Sequence, residues 1–314
     1  MSNFQTFVVI LATISLFLYS LKSFSSEIKN ISSEKFENLI SRLTQHSLSG
    51  FVLGIILASI IQSSTAVSSI TVSLVDAGVI GFVNSLSVLL GANVGSTSTA
   101  WLVTLNMEFI APFFIVLGTI ISMIPNKVQL IGKSVFYFGL ILFSLDLINT
   151  AIGPLKDDPT IISVLEWTEN HFIGVLGGII VTLIVQSSSV TTGLAILLTQ
   201  QGVLTPEGAI SIILGANVGT TSTALMVSMQ LNKWAKLAAI ANFVFNLTGV
   251  ILIFPFINLL SRFTQSLTDD IGFQVAYAHL FFNVFVSVIT LPFLKKIAIA
   301  FQNKMESLKM WKNA

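Results

Sequence analysis

Apolar residues gather along the chain in stretches long enough to cross a lipid bilayer, separated by short polar segments. A membrane-spanning helix needs about 20 predominantly apolar residues. Such stretches occupy residues 5–21, 79–104, 109–124, 134–152, 206–229, 237–259 and 273–294. The pattern predicts an all-α polytopic membrane protein with about seven crossings, before two shorter apolar segments are counted.

Composition agrees with a membrane protein and excludes several other classes. Hydrophobic residues make up 54% of the chain and charged residues 9%, against about 25% charged in soluble domains. Cysteine is absent, which removes disulfides and thiolate chemistry. The first stretch lacks a basic n-region and a small-residue cleavage site, so it predicts a retained helix. The net charge of +1 suggests no nucleic-acid partner.

The chain contains an internal duplication. A shift of 124 residues aligns 50–104 with 174–228 without a gap, and 23 of 55 positions are identical. Shared hydrophobicity alone does not produce such identity. We therefore divide the chain into a first repeat at 1–130, a second repeat at 131–259, and a last segment at 260–314 that holds one more transmembrane helix and a basic tail.

Each repeat contains an apolar segment that is interrupted by Gln-Ser-Ser. About twelve apolar residues precede the interruption, which reach about 18 Å, or half a bilayer. Residues 50–76 and 174–200 therefore predict two re-entrant helical hairpins with Gln-Ser-Ser at their tips. A single helix of 26 residues, with Ser and Thr bonded to its own carbonyls, is the alternative.

Two hairpins of this kind would make the repeats inverted. Each repeat would cross the membrane three times, so the second would enter from the opposite side. The linkers agree, because 22–49 carries four basic residues and 150–173 carries one basic and four acidic residues. Inverted repeats with a binding site at the membrane midplane are typical of secondary transporters.

The distribution of basic residues predicts the orientation. With the N-terminus outside and both hairpins re-entrant, only Lys156 and Arg262 of the 15 Lys and Arg side chains fall outside the cell. If both segments crossed fully, the count would be twelve inside against three outside, so charge does not decide between the two arrangements. Either count satisfies the positive-inside rule and predicts a cytoplasmic C-terminus. The tail from Lys295 to Lys312 has the pattern of a basic amphipathic helix, which binds anionic membrane lipids.

The hairpin tips combine groups that bind anions. Hydroxyls, carboxamides and the free N–H groups of a helix start can hold an oxyanion without any cation. No Lys or Arg lies in the apolar stretches, so we expect a substrate held by neutral donors. The tip residues are Gln62, Ser63, Ser64, Thr65, Gln186, Ser187, Ser188 and Ser189.

A second polar element, Gly-Ala-Asn-Val-Gly with a Ser/Thr cluster, occupies 91–99 and 215–223. Glycines on both sides of Asn weaken a helix, so we expect helices broken at these points within 79–104 and 206–229. The carbonyls and hydroxyls freed there suit Na⁺, whereas a proton-coupled carrier more often has a carboxylate or His. The alternative is that Gly and Ser only allow close helix packing.

Isolated polar residues in the last spans have weaker implications. We expect Asn242, Asn246 and Asn283 to make interhelical hydrogen bonds, with a place on the transport pathway as the alternative. His279 is interpreted as structural.

The paired motifs resemble the type II sodium/phosphate cotransporter family, in particular its shorter bacterial members, over about residues 10–250. Each Gln-Ser-Ser is followed 29 residues later by Gly-Ala-Asn-Val-Gly. The resemblance implies Na⁺-driven symport of inorganic phosphate, with phosphate at the eight tip residues. The sodium residues it implies are Gln62, Ser63, Asn93, Thr97, Gln186, Ser187, Asn217, Thr220 and Thr223. Thr65 stands where the family usually has a third Ser, and Ala216 stands where its animal members have Ser.

Other functions stay open at this point. A sodium-coupled carrier of another oxyanion or of a carboxylate, and a non-transporting phosphate sensor, fit the same motifs. An enzyme is not expected, because no His or acid is placed as a base beside Ser63 or Ser187.

We expect a bacterial inner-membrane protein that uses Na⁺ as coupling ion and no cofactor. Its oligomeric state is open, with a homodimer among the options.

Overall fold

The computed structural model describes residues 3–44, 46–105, 110–154 and 158–307. Within these ranges the chain is helical and contains no β-strand. Lys156 and the end of the basic tail, 308–314, lie outside the described residues. The helices are α1 (Asn3–Leu43), α2 (Ser47–Ile61), α3 (Ser64–Asp76), α4 (Phe82–Gly95), α5 (Ser98–Thr104), α6 (Ile110–Ser122), α7 (Lys127–Ile152), α8 (Pro159–Glu166), α9 (His171–Val185), α10 (Ser188–Gln200), α11 (Pro206–Ser228), α12 (Lys233–Ile253), α13 (Ile257–Gln265), α14 (Ile271–Thr290) and α15 (Leu294–Ser307).

Long apolar helices confirm the prediction of an all-α polytopic membrane protein. In the described ranges, six helical stretches have the length and composition to cross a membrane. The seventh expected stretch, 109–124, corresponds to α6, which has only 13 residues. The six stretches are Gln5–Ile31, Phe82–Thr104, Lys127–Ile152, Pro206–Ser228, Lys233–Gln265 and Ile271–Asn303.

Glycines bring α2 into direct backbone contact with α4. A Cβ atom built on Gly54 would lie 2.2 Å from the Val88 carbonyl oxygen, and one on Gly91 would lie 2.0 Å from that of Phe51. Only glycine permits this approach. The residue numbers of contacting positions increase in the same direction along both helices, with a separation near 37. Helices α2 and α4 therefore run parallel.

The second repeat repeats this contact between α9 and α11. A Cβ on Gly178 would lie 2.0 Å from the Ile212 carbonyl oxygen, and one on Gly215 would lie 2.0 Å from that of Val175. The separation between contacting positions is again near 37. The duplicated sequence therefore builds the same parallel pair twice.

The chain reverses direction at both Gln-Ser-Ser segments. Because α2 and α4 are parallel neighbours, α3 must run back between their ends. In the second repeat the hydroxyls of Thr182 and Thr191 lie 2.8 Å apart, whereas nine residues of straight helix would separate them by about 13 Å. The alternative of one continuous helix through each motif is thus wrong. How the two hairpins lie in a membrane stays a prediction.

The expectation of a helix broken at Gly-Ala-Asn-Val-Gly is wrong for the second repeat, whereas in the first repeat α4 ends at Gly95, the last residue of the motif. Helix α11 is continuous from Pro206 to Ser228. In the first repeat the helix tightens after the motif, where the Thr97 N–H bonds the Val94 carbonyl at 3.1 Å and α5 then continues. The glycines are used for close helix contact, so the packing interpretation describes their role.

Helix α12 lies along α4 in the same direction. The rings of Phe82 and Trp234, near the two helix starts, have centroids 6.2 Å apart. Further along, the Asn93 amide donates to the Asn242 side-chain oxygen at 3.2 Å. A four-residue segment, 229–232, joins α11 to α12, and the Asn232 N–H donates to an Asp76 carboxylate oxygen at 2.6 Å. The repeats are thus packed against each other through α4 and α12.

The C-terminal tail is helical where it is described. Pro292 lacks an N–H and forms part of a 3₁₀ turn, Leu291–Phe293, between α14 and α15. Leu294 and Ala298 on α15 are buried, whereas Lys295 and Lys296 are exposed. This arrangement is amphipathic, and its attachment to lipid stays a prediction.

The α9–α11 contact predicts opposite effects of Gly→Ala at two adjacent positions. Gly178→Ala should lower the melting temperature of the detergent-purified protein by several degrees, because overpacking costs about 1–3 kcal/mol. Gly177→Ala is the matched control, since its Cβ would meet no atom within 4 Å and Ala favours helix by about 1 kcal/mol. Equal melting temperatures for the two variants would contradict the contact.

Candidate functional site

The two hairpin tips have the same backbone geometry. Gln62 (φ 55°) and Gln186 (φ 56°) adopt the left-handed conformation, which is uncommon for residues other than glycine. Ser63 and Ser187 are extended and occupy the N-cap positions of α3 and α10, where the Ser63 side chain accepts from the Ala66 N–H. A left-handed non-glycine residue costs about 1–3 kcal/mol and is typical of functional sites.

A cavity of about 600 Å³ brings the tips together. All the tip residues that the sequence nominated for an anion contribute to its wall. They are Gln62, Ser63, Ser64, Thr65, Gln186, Ser187, Ser188 and Ser189. The two motifs, 124 residues apart in sequence, therefore form one polar site.

Helix α1 supplies the rest of the polar wall, which the sequence analysis missed. Lys22 and Lys29 line the cavity together with Ser25 and Ser26. The expectation of neutral donors alone is therefore wrong for the cavity as a whole. The apolar stretch 5–21 ends before Lys22, but the helix continues to Leu43 and carries this face onto the tips. The sequence signal for this wall was the spacing of its residues: Ser25, Ser26 and Lys29 follow Lys22 by three, four and seven positions, which places them on one helical face.

The sodium candidates of the second repeat divide into two groups. Thr220 donates its hydroxyl proton to Ser188 Oγ at 3.0 Å and so contacts the tip. The Thr223 hydroxyl is buried and has no hydrogen-bond partner. Asn217 turns away, since its amide donates to the Ile213 carbonyl at 3.0 Å and its oxygen lies 3.4 Å from His279 Nε2.

In the first repeat the tip bonds to the cluster after the glycines. The Gln62 amide nitrogen donates to Ser98 Oγ at 3.0 Å, and its oxygen accepts from Thr99 Oγ1 at 2.9 Å. Thr99 Oγ1 also lies 3.3 Å from Ser189 Oγ of the other tip. Neither Ser98 nor Thr99 was nominated for sodium, although Thr99 is equivalent to the nominated Thr223.

The two nominated residues of the first repeat lie elsewhere. Asn93 and Thr97 are buried in α4 and the turn after it, and neither lines the cavity. The Thr97 hydroxyl bonds the Val94 carbonyl at 2.8 Å, and Asn93 bonds Asn242. Asn93 therefore lies in the contact with α12, Thr97 bonds within its own turn, and neither residue lines the cavity at the tips.

Equivalent residues of the two tips differ in exposure. Gln62 is 7% exposed and held by Ser98 and Thr99, whereas Gln186 is exposed. The hydroxyl equivalent to that of Thr99, on Thr223, correspondingly lacks a partner. The sequence is identical at these positions, so the difference arises from the arrangement of the helices.

Of the three asparagines that the sequence predicted to form interhelical hydrogen bonds, Asn242 does so, whereas the bonds of Asn246 and Asn283 lie within their own helices. Asn242 accepts from Asn93, as predicted, and the Asn246 amide donates back to the Asn242 carbonyl at 2.9 Å. The Asn283 amide likewise donates to the His279 carbonyl of the same helix, α14, at 2.9 Å. The prediction of interhelical bonds is therefore wrong for these bonds of Asn246 and Asn283. None of these residues lines the cavity at the tips.

Fold and site together define the chain as a multi-pass helical membrane protein with a polar cavity at the junction of two duplicated hairpins. A family profile described as Na+/Pi-cotransporter matches residues 16–150 and 160–264, and the chain belongs to this family. The family is one of transporters and not of enzymes, as the sequence analysis expected.

Three proteins from bacteria and human show how far this similarity extends. It is 30% identical to the uncharacterised protein YqeW of Bacillus subtilis over 284 residues, covering 90% of this chain and 92% of that one. It is 25% identical to the putative inorganic phosphate export protein YjbB of Escherichia coli over 296 residues, covering 93% of this chain and 54% of that one. It is 29% identical to the human sodium-dependent phosphate transport protein 2B over 189 residues, covering 54% and 26%. No solved structure matches the chain.

The asymmetry of the tips can be checked by thiol labelling, because the chain has no native cysteine. In detergent, a hydrophilic maleimide should modify Gln186→Cys several-fold faster than Gln62→Cys, since only the former position is exposed. Ser26→Cys, on the exposed cavity wall, gives the upper rate and the cysteine-free parent gives the background. Equal rates at the two glutamine positions would show that the tips are equivalent.

Proposed function

We propose that the chain is a sodium-coupled symporter of inorganic phosphate, which binds between the two Gln-Ser-Ser tips. The observation that carries this proposal is the single cavity lined by both tips. Membership of the Na+/Pi-cotransporter family supports the choice of substrate and coupling ion.

Phosphate recognition rests on donors that converge on the cavity. Ser63 Oγ accepts the Ala66 N–H at 3.1 Å, which leaves the Ser63 hydroxyl proton free to be donated to a ligand. The starts of α3 and α10 add backbone N–H groups, which favour an anion. Hydrogen bonds to an ionised oxygen are roughly twice as strong as neutral ones, so a few donors from each tip suffice.

A sodium site beside the second tip fits the residues present. The buried Thr223 hydroxyl has no partner, and an unsatisfied buried hydroxyl costs about 1–3 kcal/mol. A cation would satisfy it together with oxygens of Thr220, Gln186 and Ser187. Ala216 is fully buried and offers no side-chain oxygen, so coordination here depends on the other residues.

The helix directions support transport by inverted repeats. Helix α4 is parallel to α12, and the short segment 229–232 makes α11 run opposite to its neighbour α12. The equivalent helices α4 and α11 thus oppose each other. With re-entrant hairpins entering from opposite sides, the unequal burial of Gln62 and Gln186 fits one end of an alternating-access cycle.

We further propose a plasma-membrane location with the N-terminus outside and the C-terminus in the cytoplasm. The excess of basic residues on the cytoplasmic side supports this orientation. Relatives are named for export in Escherichia coli and for sodium-dependent transport in human. A coupled carrier is reversible, so the gradients of Na⁺ and phosphate set the direction.

Uptake of radiolabelled phosphate into proteoliposomes tests the proposed function. An inward Na⁺ gradient should accelerate uptake in the wild-type protein. Gln62→Ala and Gln186→Ala should each abolish it, because the two tips share one substrate. A choline gradient is the ionic control, and sulfate, arsenate and aspartate as competitors test the substrate class. Uptake indifferent to Na⁺ would refute sodium coupling, and phosphate binding without any flux would favour a sensor.

Thr223→Val separates sodium coordination from stability. It should raise the Na⁺ concentration for half-maximal uptake about tenfold, since a contact to a charged group contributes about 1.5–3 kcal/mol. Thr223→Ser keeps the oxygen and should retain wild-type Na⁺ dependence. The melting temperature of Thr223→Val without Na⁺ should not fall, because the hydroxyl has no protein partner. Unchanged Na⁺ dependence would exclude Thr223 as a ligand.

A further inference from the structure

The cavity at the tips carries positive charge on one wall only. Lys22 and Lys29 are its charged lining residues, and no carboxylate lines it among the described residues. They lie seven positions apart on α1, which is two helical turns, so both face the tips. Lys22 is exposed and Lys29 is half-buried.

We propose that Lys22 and Lys29 form an anion-collecting wall through which phosphate reaches the tips. The inference rests on the proposed function, because it takes phosphate as the substrate of this cavity. Their role is to attract and position the anion by long-range charge, while the neutral donors of the tips hold it. Cavities lined by one sign of charge concentrate ligands of the opposite sign.

The acidic residue nearest in sequence does not neutralise this wall. Glu27 is two positions from Lys29, which places it on another side of α1. It is absent from the cavity lining, and its Oε2 is buried without a hydrogen-bond partner. With Glu27 counted as ionised, Lys22 and Lys29 still give this part of α1 a net positive charge, and only the lysines line the cavity.

The duplicated helix α7 shows that the fold does not require a lysine at this position. The 124-residue shift pairs Lys22 with Asp146 and Ser25 with Asn149. Asp146 and Asn149 line a second cavity, of about 500 Å³, whose charged lining residues in the described ranges are the carboxylates Asp146, Asp269 and Asp270. The same helical face thus carries opposite charge in the two repeats. Lys22 is accordingly not dictated by packing, and in the proposed orientation its charge attracts the anion at the cytoplasmic side of the tips.

Phosphate binding at varied ionic strength tests the wall. The full-length protein in detergent is titrated with inorganic phosphate at constant Na⁺, while choline chloride sets the ionic strength. The double variant Lys22→Gln/Lys29→Gln should raise the Kd about tenfold at low ionic strength, and its Kd should depend less on salt than that of the wild type. The single variant Lys22→Gln, at an exposed position, should raise the Kd about threefold.

Matched variants separate charge from structure. Lys22→Arg/Lys29→Arg should retain wild-type affinity and salt dependence, because the charge is kept. Lys296→Gln removes one exposed positive charge outside the cavity and should leave the Kd unchanged. Asp146→Asn, at the equivalent position of α7, should not weaken phosphate binding.

The outcomes distinguish the two proposals. A wild-type protein that binds phosphate, with the same Kd and salt dependence in Lys22→Gln and the double variant, would overturn the lysine wall and leave the proposed function standing. A wild-type protein that binds no phosphate in the presence of Na⁺ would overturn both. If the double variant does not fold, an unchanged Kd in Lys22→Gln alone still refutes the inference.

Discussion

Direct backbone contact between parallel helices determines the geometry of both hairpins. Gly54 and Gly91 hold α2 against α4, and Gly178 and Gly215 hold α9 against α11. The separation of 37 residues in these contacts continues to the tips, where it pairs Gln62 with Thr99 and Gln186 with Thr223. The bond from Thr99 Oγ1 to Gln62 at 2.9 Å follows from this register. A slip of one helical turn would remove it, so the polar site depends on an apolar, side-chain-free contact some distance away.

Much of this arrangement can be predicted from the sequence, but the interpretation of the glycines as helix-breaking residues is wrong for α11. Gly91 and Gly95 are four residues apart and share one helical face, which is a packing pattern in membrane helices. Read as flexible residues around Asn93, they predict a broken helix, which α11 contradicts. The tips are easier to predict, because Gln-Ser-Ser interrupts an apolar segment that is too short to cross a bilayer and does so twice.

Other features depend on tertiary packing and are not visible in local sequence. Helix α1 continues beyond its apolar stretch, and only its contact with the tips shows that Lys22 and Lys29 belong to the site. The difference between Gln62 and Gln186 is a second case, since identical tripeptides acquire different exposure. Of the residues that the family resemblance implied for sodium, Thr220 contacts the second tip, whereas Asn93 bonds Asn242 and both Thr97 and Asn217 bond carbonyls one turn earlier in the chain.

The unequal burial of Gln62 and Gln186 has a consequence for the shape of the opposite state. Because the two copies share sequence at the tips, each copy displays a conformation that the other can adopt without any new kind of interaction. In the proposed alternating-access cycle, the opposite state would have Gln186 bonded to Thr223, as Gln62 is bonded to Thr99 here, and Gln62 released. In that cycle, the free-energy difference between the two forms would depend on the positions at which the copies diverged and on the unduplicated helix α14, which packs against both repeats.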